Sequence, residues 1–253
     1  MLPKRLLTLI IPAFILILFE IFFSFPKIIA VIVVLIILAI FYAVWQFTKI
    51  SLVDKEWWNF LILPASLSLG LLAFTTMLSS DFLKQILIIL NSIIIYLYLR
   101  FTFYYLITPM AYKEASLENI SAYGNYLTLF FIFSAVYGLQ SFLSISIWIL
   151  MLLVLLATGL AVYQTMWVNK IAVRTRLIYI LISCLVMVEL AWGISFLPLK
   201  FSIAGFILSI CYYMLIGLVR CRLLNKLNGK IIKLYLGLGV ASIGIVLLSA
   251  RWL

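Results

Sequence analysis

Histidine is missing from this chain, and only seven of its 253 residues are Asp or Glu. The first absence removes the commonest metal ligand and general base, and with it Ser/His hydrolase and HExxH zinc chemistry. The second leaves no cluster of carboxylates, which speaks against an intramembrane enzyme. Three cysteines, Cys184, Cys211 and Cys221, have no paired spacing, so neither a disulfide framework nor a CxxC metal site is implied. No motif calls for a metal or a cofactor. Charged residues make up only 10% of the chain, against about 25% in soluble domains, which excludes a water-soluble fold of this size.

What is present in abundance is apolar: 68% of the residues are hydrophobic. Lipid accepts such surface on the outer face of every helix, so the chain reads as an integral membrane protein. The apolar runs continue over about 20 residues without strict alternation, which predicts helices rather than a β-barrel. The fold class is therefore all-α, a polytopic transmembrane bundle. Nine spans are predicted: Leu6–Phe25, Ile28–Phe47, Trp57–Leu78, Phe82–Tyr105, Ala122–Gln140, Ser144–Trp167, Leu177–Leu197, Phe201–Val219 and Leu234–Ala250. The first follows a basic start and superficially resembles a signal peptide, but it is too long and has no small-x-small cleavage site. No stretch between spans is long enough for a soluble domain, so residues 1–253 read as one integral membrane domain.

A net charge of +11 does not point to nucleic acid, because the cations sit between the apolar runs. With the N-terminus in the cytoplasm, thirteen Lys and Arg lie inside: Lys4, Arg5, Lys49, Lys55, Lys113, Lys170, Arg174, Arg176, Arg220, Arg222, Lys226, Lys230 and Lys233. Lys27, Lys84, Lys200 and Arg251 lie outside, and Arg100 falls within a span. That asymmetry places the N-terminus inside and the C-terminus outside a cytoplasmic membrane. The connections after even-numbered spans are predicted to be the longer and more polar ones. Asp54 and Ser80 are placed to cap the helices that follow. Trp45, Trp57, Trp58, Trp167 and Trp252 fall near span ends, where an aromatic belt lies. Pro12 and Pro64 fall within spans.

Few polar residues interrupt the spans, and those few are the candidate sites. Glu20 and Glu189 are the acids within spans, and an ionisable group at the bilayer centre costs on the order of 3 kcal/mol. Either they serve a cation, proton or headgroup site, or each is protonated, or paired with Lys27 or Lys200, and holds helices together. Arg100 either snorkels to the inner surface or contacts an anion within the bundle, and Asn91 lies on the same span. Arg220, Arg222, Lys226, Lys230 and Lys233 cluster in one inner connection; they mark topology or hold anionic lipid headgroups. Gly237, Ala241 and Gly244 form a small-residue stripe at i, i+4 and i+7, suited to close helix packing within the chain or in a dimer.

Two stretches, SLENISAYGNYLTLFF from Ser116 and VELAWGISFLPLKFSIAGFILSICYYMLIGLVR from Val188, resemble a family of multi-pass membrane proteins of unknown function from candidate-phyla-radiation bacteria. The likeness rests on Glu189, Ala191, Ser195, Phe196 and Pro198, then Tyr213, Leu215, Gly217 and Leu218, and covers the second half of the chain. It implies a bacterial cytoplasmic membrane and carries no activity with it. Three function classes follow: a structural or accessory subunit of a cell-envelope complex, favoured by the short loops; a transporter or binding protein for a lipid or small solute using Glu20 and Glu189; and, against the residue content, an intramembrane enzyme. The partners to look for are the bilayer, its anionic lipids and another membrane protein.

Overall fold

The computed structural model describes residues 4–48, 57–108, 110, 112–113, 116–223 and 227–249. Lys49, Asp54, Lys55, Lys226, Ala250, Arg251 and Trp252 lie outside the described residues. Those described form nine α-helices: α1 (Lys4–Ser24), α2 (Ile29–Thr48), α3 (Asn59–Thr75), α4 (Asp81–Ile107), α5 (Ser116–Leu143), α6 (Ile147–Val168), α7 (Val173–Ser195), α8 (Phe201–Leu223) and α9 (Gly229–Ser249). All but α3 are long and apolar enough to cross a membrane. Helices are the form this composition permits, because backbone amides in hydrocarbon must find their partners within the segment.

Several helix ends extend beyond the apolar runs. Hydropathy stops α6 at Trp167 and starts the next span at Leu177, whereas α7 begins at Val173 and the connection shrinks to residues 169–172. The expectation of longer connections after even-numbered spans therefore fails here. Arg174 and Arg176 belong to the first turns of α7, and Arg220 and Arg222 to the last turn of α8. Helical hydrogen bonding continues into the interface, where charged side chains are tolerated and hydropathy has already fallen. In the opposite sense, α3 has 17 residues, about 25 Å at 1.5 Å per residue, at the lower limit for a span.

Caps secure several ends. The Ser80 hydroxyl accepts from the Leu83 amide at 3.4 Å, as its position predicts, and Lys84 pairs with Asp81 at 2.8 Å in the same turn. Asn228 caps α9 through the Ile231 amide at 2.8 Å. The Tyr112 hydroxyl caps α5: it accepts from the Leu117 amide at 3.2 Å and donates to Glu118 at 2.8 Å.

The chain divides into two compact units, residues 1–128 and 129–253. In the first, α4 packs against α1, α2 and α3, and α1 against α2. Ile15, Phe19, Ile40, Phe60, Leu63 and Ile95 are fully buried there. Lys4 donates to the Gln46 carbonyl at 3.1 Å, tying the start of α1 to the end of α2 as an antiparallel hairpin requires. In the second unit α6 and α7 form the most extensive pair, α8 packs on α7, and α9 on α8. Its core gathers Phe133, Val154, Val162, Met187, Leu208 and Tyr212. The second half of α5 joins it through the Tyr137 hydroxyl, which donates to the Ala191 carbonyl at 2.9 Å. At Gly205 a Cβ would lie 2.6 Å from the Ser134 Cα, so α8 reaches α5 only because that residue has no side chain.

Candidate functional site

The two membrane acids have different surroundings. Glu20, near the end of α1, accepts a hydrogen bond from Gln85 Nε2 of α4 at 3.1 Å rather than pairing with Lys27. Glu189 lies on the exposed face of α7, six residues or about 9 Å from its end. Among the described residues none donates a hydrogen bond to it or pairs with its charge.

Arg100 is held by its own helix. Its Nη1 donates to the Tyr96 hydroxyl at 2.8 Å and its Nε to the Tyr104 hydroxyl at 3.3 Å, with both rings within 6 Å of the guanidinium. Tyrosines one turn before and one turn after thus satisfy the charge by local geometry. Asn91 is 1% exposed within the first unit, and neither of its amide atoms has a hydrogen-bond partner among the described residues.

Arg220, Arg222, Lys230 and Lys233 lie in the last turn of α8 and the first turns of α9. Of the small-residue stripe, Gly237 and Ala241 are exposed, and a Cβ at Gly237 or Gly244 would meet nothing within 4 Å. The glycine of α9 that faces α8 is Gly239, against the Met214 side chain.

Glu189 stands at one end of a groove of about 680 Å³ between α6 and α7. Leu155, Leu160, Ile180, Leu181 and Leu185 line it, and Gly159 with Cys184 forms its floor. The lining leucines are exposed, so the groove opens sideways out of the bundle. Apart from Glu189 the walls are hydrocarbon and thiol. Its size falls within the range of about 300–1,000 Å³ typical of small-molecule sites, and its chemistry suits an apolar chain rather than a polar solute.

One residue read only as a topology marker turns out to be buried at the other end of the same helix pair. Arg176 is 7% exposed; its Nη2 donates to the Ile171 carbonyl at 3.1 Å, its guanidinium lies 5.3 Å from the Tyr163 ring centre, and its Nε has no hydrogen-bond partner among the described residues. The turn beneath it reverses the chain in four residues because Lys170 adopts φ 56° and the Ile171 amide reaches back to the Met166 carbonyl at 3.1 Å, a Schellman-type close. The signal that could have found Arg176 is register. Arg176, Ile180, Cys184 and Val188 follow one another at i+4, so the arginine continues the stripe that lines the groove.

Eight long apolar helices among the described residues, with packed buried faces and leucine-rich exposed ones, define a multi-pass α-helical membrane protein. Residues 19–249 match the family described as "Protein of unknown function (DUF5656)", and the chain belongs to that family. The match takes in the first half of the chain as well as the second, to which the resemblance of the quoted stretches is confined. No curated protein and no solved structure matches the chain.

Proposed function

We propose that the chain is a lipid-binding protein of the bacterial cytoplasmic membrane, and that the groove between α6 and α7 holds one hydrocarbon chain. The single observation that carries this reading is the groove itself: about 680 Å³, open toward the bilayer, walled by leucines and ended by a carboxylate with no partner among the described residues. Glu189 limits the apolar run at its outer end, and an alkyl chain gains contact along the remainder. A carrier of polar solutes needs polar walls, which this groove lacks. The positive-inside asymmetry supports a cytoplasmic N-terminus, with the C-terminus outside when α3 crosses.

The test is retention of lipid through purification. A Cβ at Gly159 would lie 3.5 Å from Cys184 Sγ, so the leucine of Gly159→Leu must extend into the groove. In mild detergent the wild type keeps about one lipid per chain by native mass spectrometry and Gly159→Leu loses it severalfold with unchanged helix content. Equal lipid counts in the two proteins overturn the reading.

A second reading, an accessory subunit of a cell-envelope complex, draws on α9. Gly239 is the one buried residue among those described in α9, whereas α8 buries seven, and the small-residue stripe of α9 faces open space. A partner helix packing there would give Gly237→Leu a phenotype in co-purification that a lipid-bathed helix would not.

A further inference from the structure

We infer that the inner end of the α6–α7 groove is a phosphate site, in which Arg176 and the start of α7 hold the phosphate of a phospholipid whose chain lies in the groove. This rests on the lipid-binding reading above and names the headgroup chemistry of that site.

Four observations meet at this point. Residues 129–253 carry ten Lys and Arg but a single acid, Glu189, thirteen residues or about 20 Å along α7 from Arg176. The buried guanidinium therefore has no carboxylate of its own unit within reach, and among the described residues its Nε is left without a partner. A buried cation in that condition is costly, and a bound anion relieves it. The start of α7 adds to the excess. Ala172 provides no side-chain cap, no acid lies in the first turn, and Arg174 and Arg176 stand at the positive end of the helix dipole, where a cation is disfavoured and an anion favoured.

Arg176 is directed toward that helix start, because its Nη2 bonds the Ile171 carbonyl just before α7. Arg220 of α8 comes to the same turn, lining a small cavity with Asn169 and Ile171. Finally, the site follows the groove in helical register. Arg176 lies one turn below Ile180, and Tyr163 one turn beyond Gly159. The stretch from Arg176 to Glu189, about 20 Å, exceeds the roughly 15 Å of one leaflet's hydrocarbon, so an acyl chain fits along it. A planar guanidinium matches phosphate oxygens with paired donors, which Lys does not do.

The experiment uses the full chain, delipidated in detergent and offered two lipids with identical palmitoyl and oleoyl chains: phosphatidylglycerol and diacylglycerol, which differ by the phosphoglycerol group. Adducts are counted by native mass spectrometry. The wild type prefers phosphatidylglycerol by about tenfold, the discrimination of one charge-assisted hydrogen-bonded contact. Arg176→Gln brings the ratio near one, and Arg176→Lys falls between. A wild-type ratio near one overturns the phosphate site even if Arg176→Gln fails to fold. An Arg176→Gln protein that keeps the preference overturns it as well. Excess inorganic phosphate leaves the lipid adducts in place; displacing them assigns the site to a free anion and overturns the lipid assignment. The lipid-binding reading fails separately, if Gly159→Leu takes up diacylglycerol as well as the wild type does.

Discussion

In residues 1–128, Glu20 takes an amide hydrogen from Gln85, and Arg100 donates to two tyrosines of its own helix. In residues 129–253, Glu189 has no partner among the described residues, and Arg176 is buried with one guanidinium nitrogen unsatisfied. Both units contain the same kind of costly group in the same kind of apolar setting. The difference is that Glu20 and Arg100 find side-chain hydrogen-bond partners within the first unit, whereas among the described residues Glu189 and the Arg176 Nε find none. Charges satisfied by neighbouring side chains are architectural, whereas Glu189 at the end of the groove and the Arg176 Nε are the groups on which the proposed lipid site rests.

The largest expected effect separates loose charges from loose packing. Gly205→Ala forces a methyl group against the Ser134 backbone, so it destabilises the protein by about 2 kcal/mol, read as a lowered thermal midpoint in detergent. A neutral result would mean that the second unit is open in its packing as well.

Next comes Gln85→Leu, which strips Glu20 of its donor and costs about 1–2 kcal/mol in the same assay. Tyr112→Phe removes the hydroxyl that caps α5 and costs about 1 kcal/mol. Burial raises the Tyr112 hydroxyl from its ordinary value of 10 to about 12. The folded state thus favours the protonated form. This contribution is fully present below pH 10 and is lost as pH rises toward 12, so the wild type and Tyr112→Phe converge in that window. The smallest effect is the sharpest contrast. Glu189→Leu changes stability by less than about 0.5 kcal/mol, because no partner is lost; a large loss would show that Glu189 is as architectural as Glu20.

Much of this architecture is written in hydropathy. The nine apolar runs coincide with nine helices among the described residues, and Ser80 caps α4 as its place before an apolar run implies. The helix ends were not legible, because backbone hydrogen bonding continues past the point where charge begins, as Arg174 and Arg176 in α7 show. The candidate site was half legible for the same reason. An acid inside an apolar stretch announces itself at Glu189. A buried arginine beside a turn looks like the topology-marking cations around it, and only its i+4 register with Ile180 and Cys184 sets it apart. Partners were the least legible. Nothing in the spacing of Glu20 points to Gln85, 65 positions away, because that contact depends on how α1 and α4 pack.

The most direct test of the account is photo-crosslinking with a phospholipid that carries a diazirine in its acyl chain. Labelling is predicted to concentrate on the α6 and α7 segments that line the groove, to saturate near one lipid per chain, and to vanish in Gly159→Leu. Labelling spread over α9 and the other exposed helices in proportion to their lipid contact, without saturation, would contradict it.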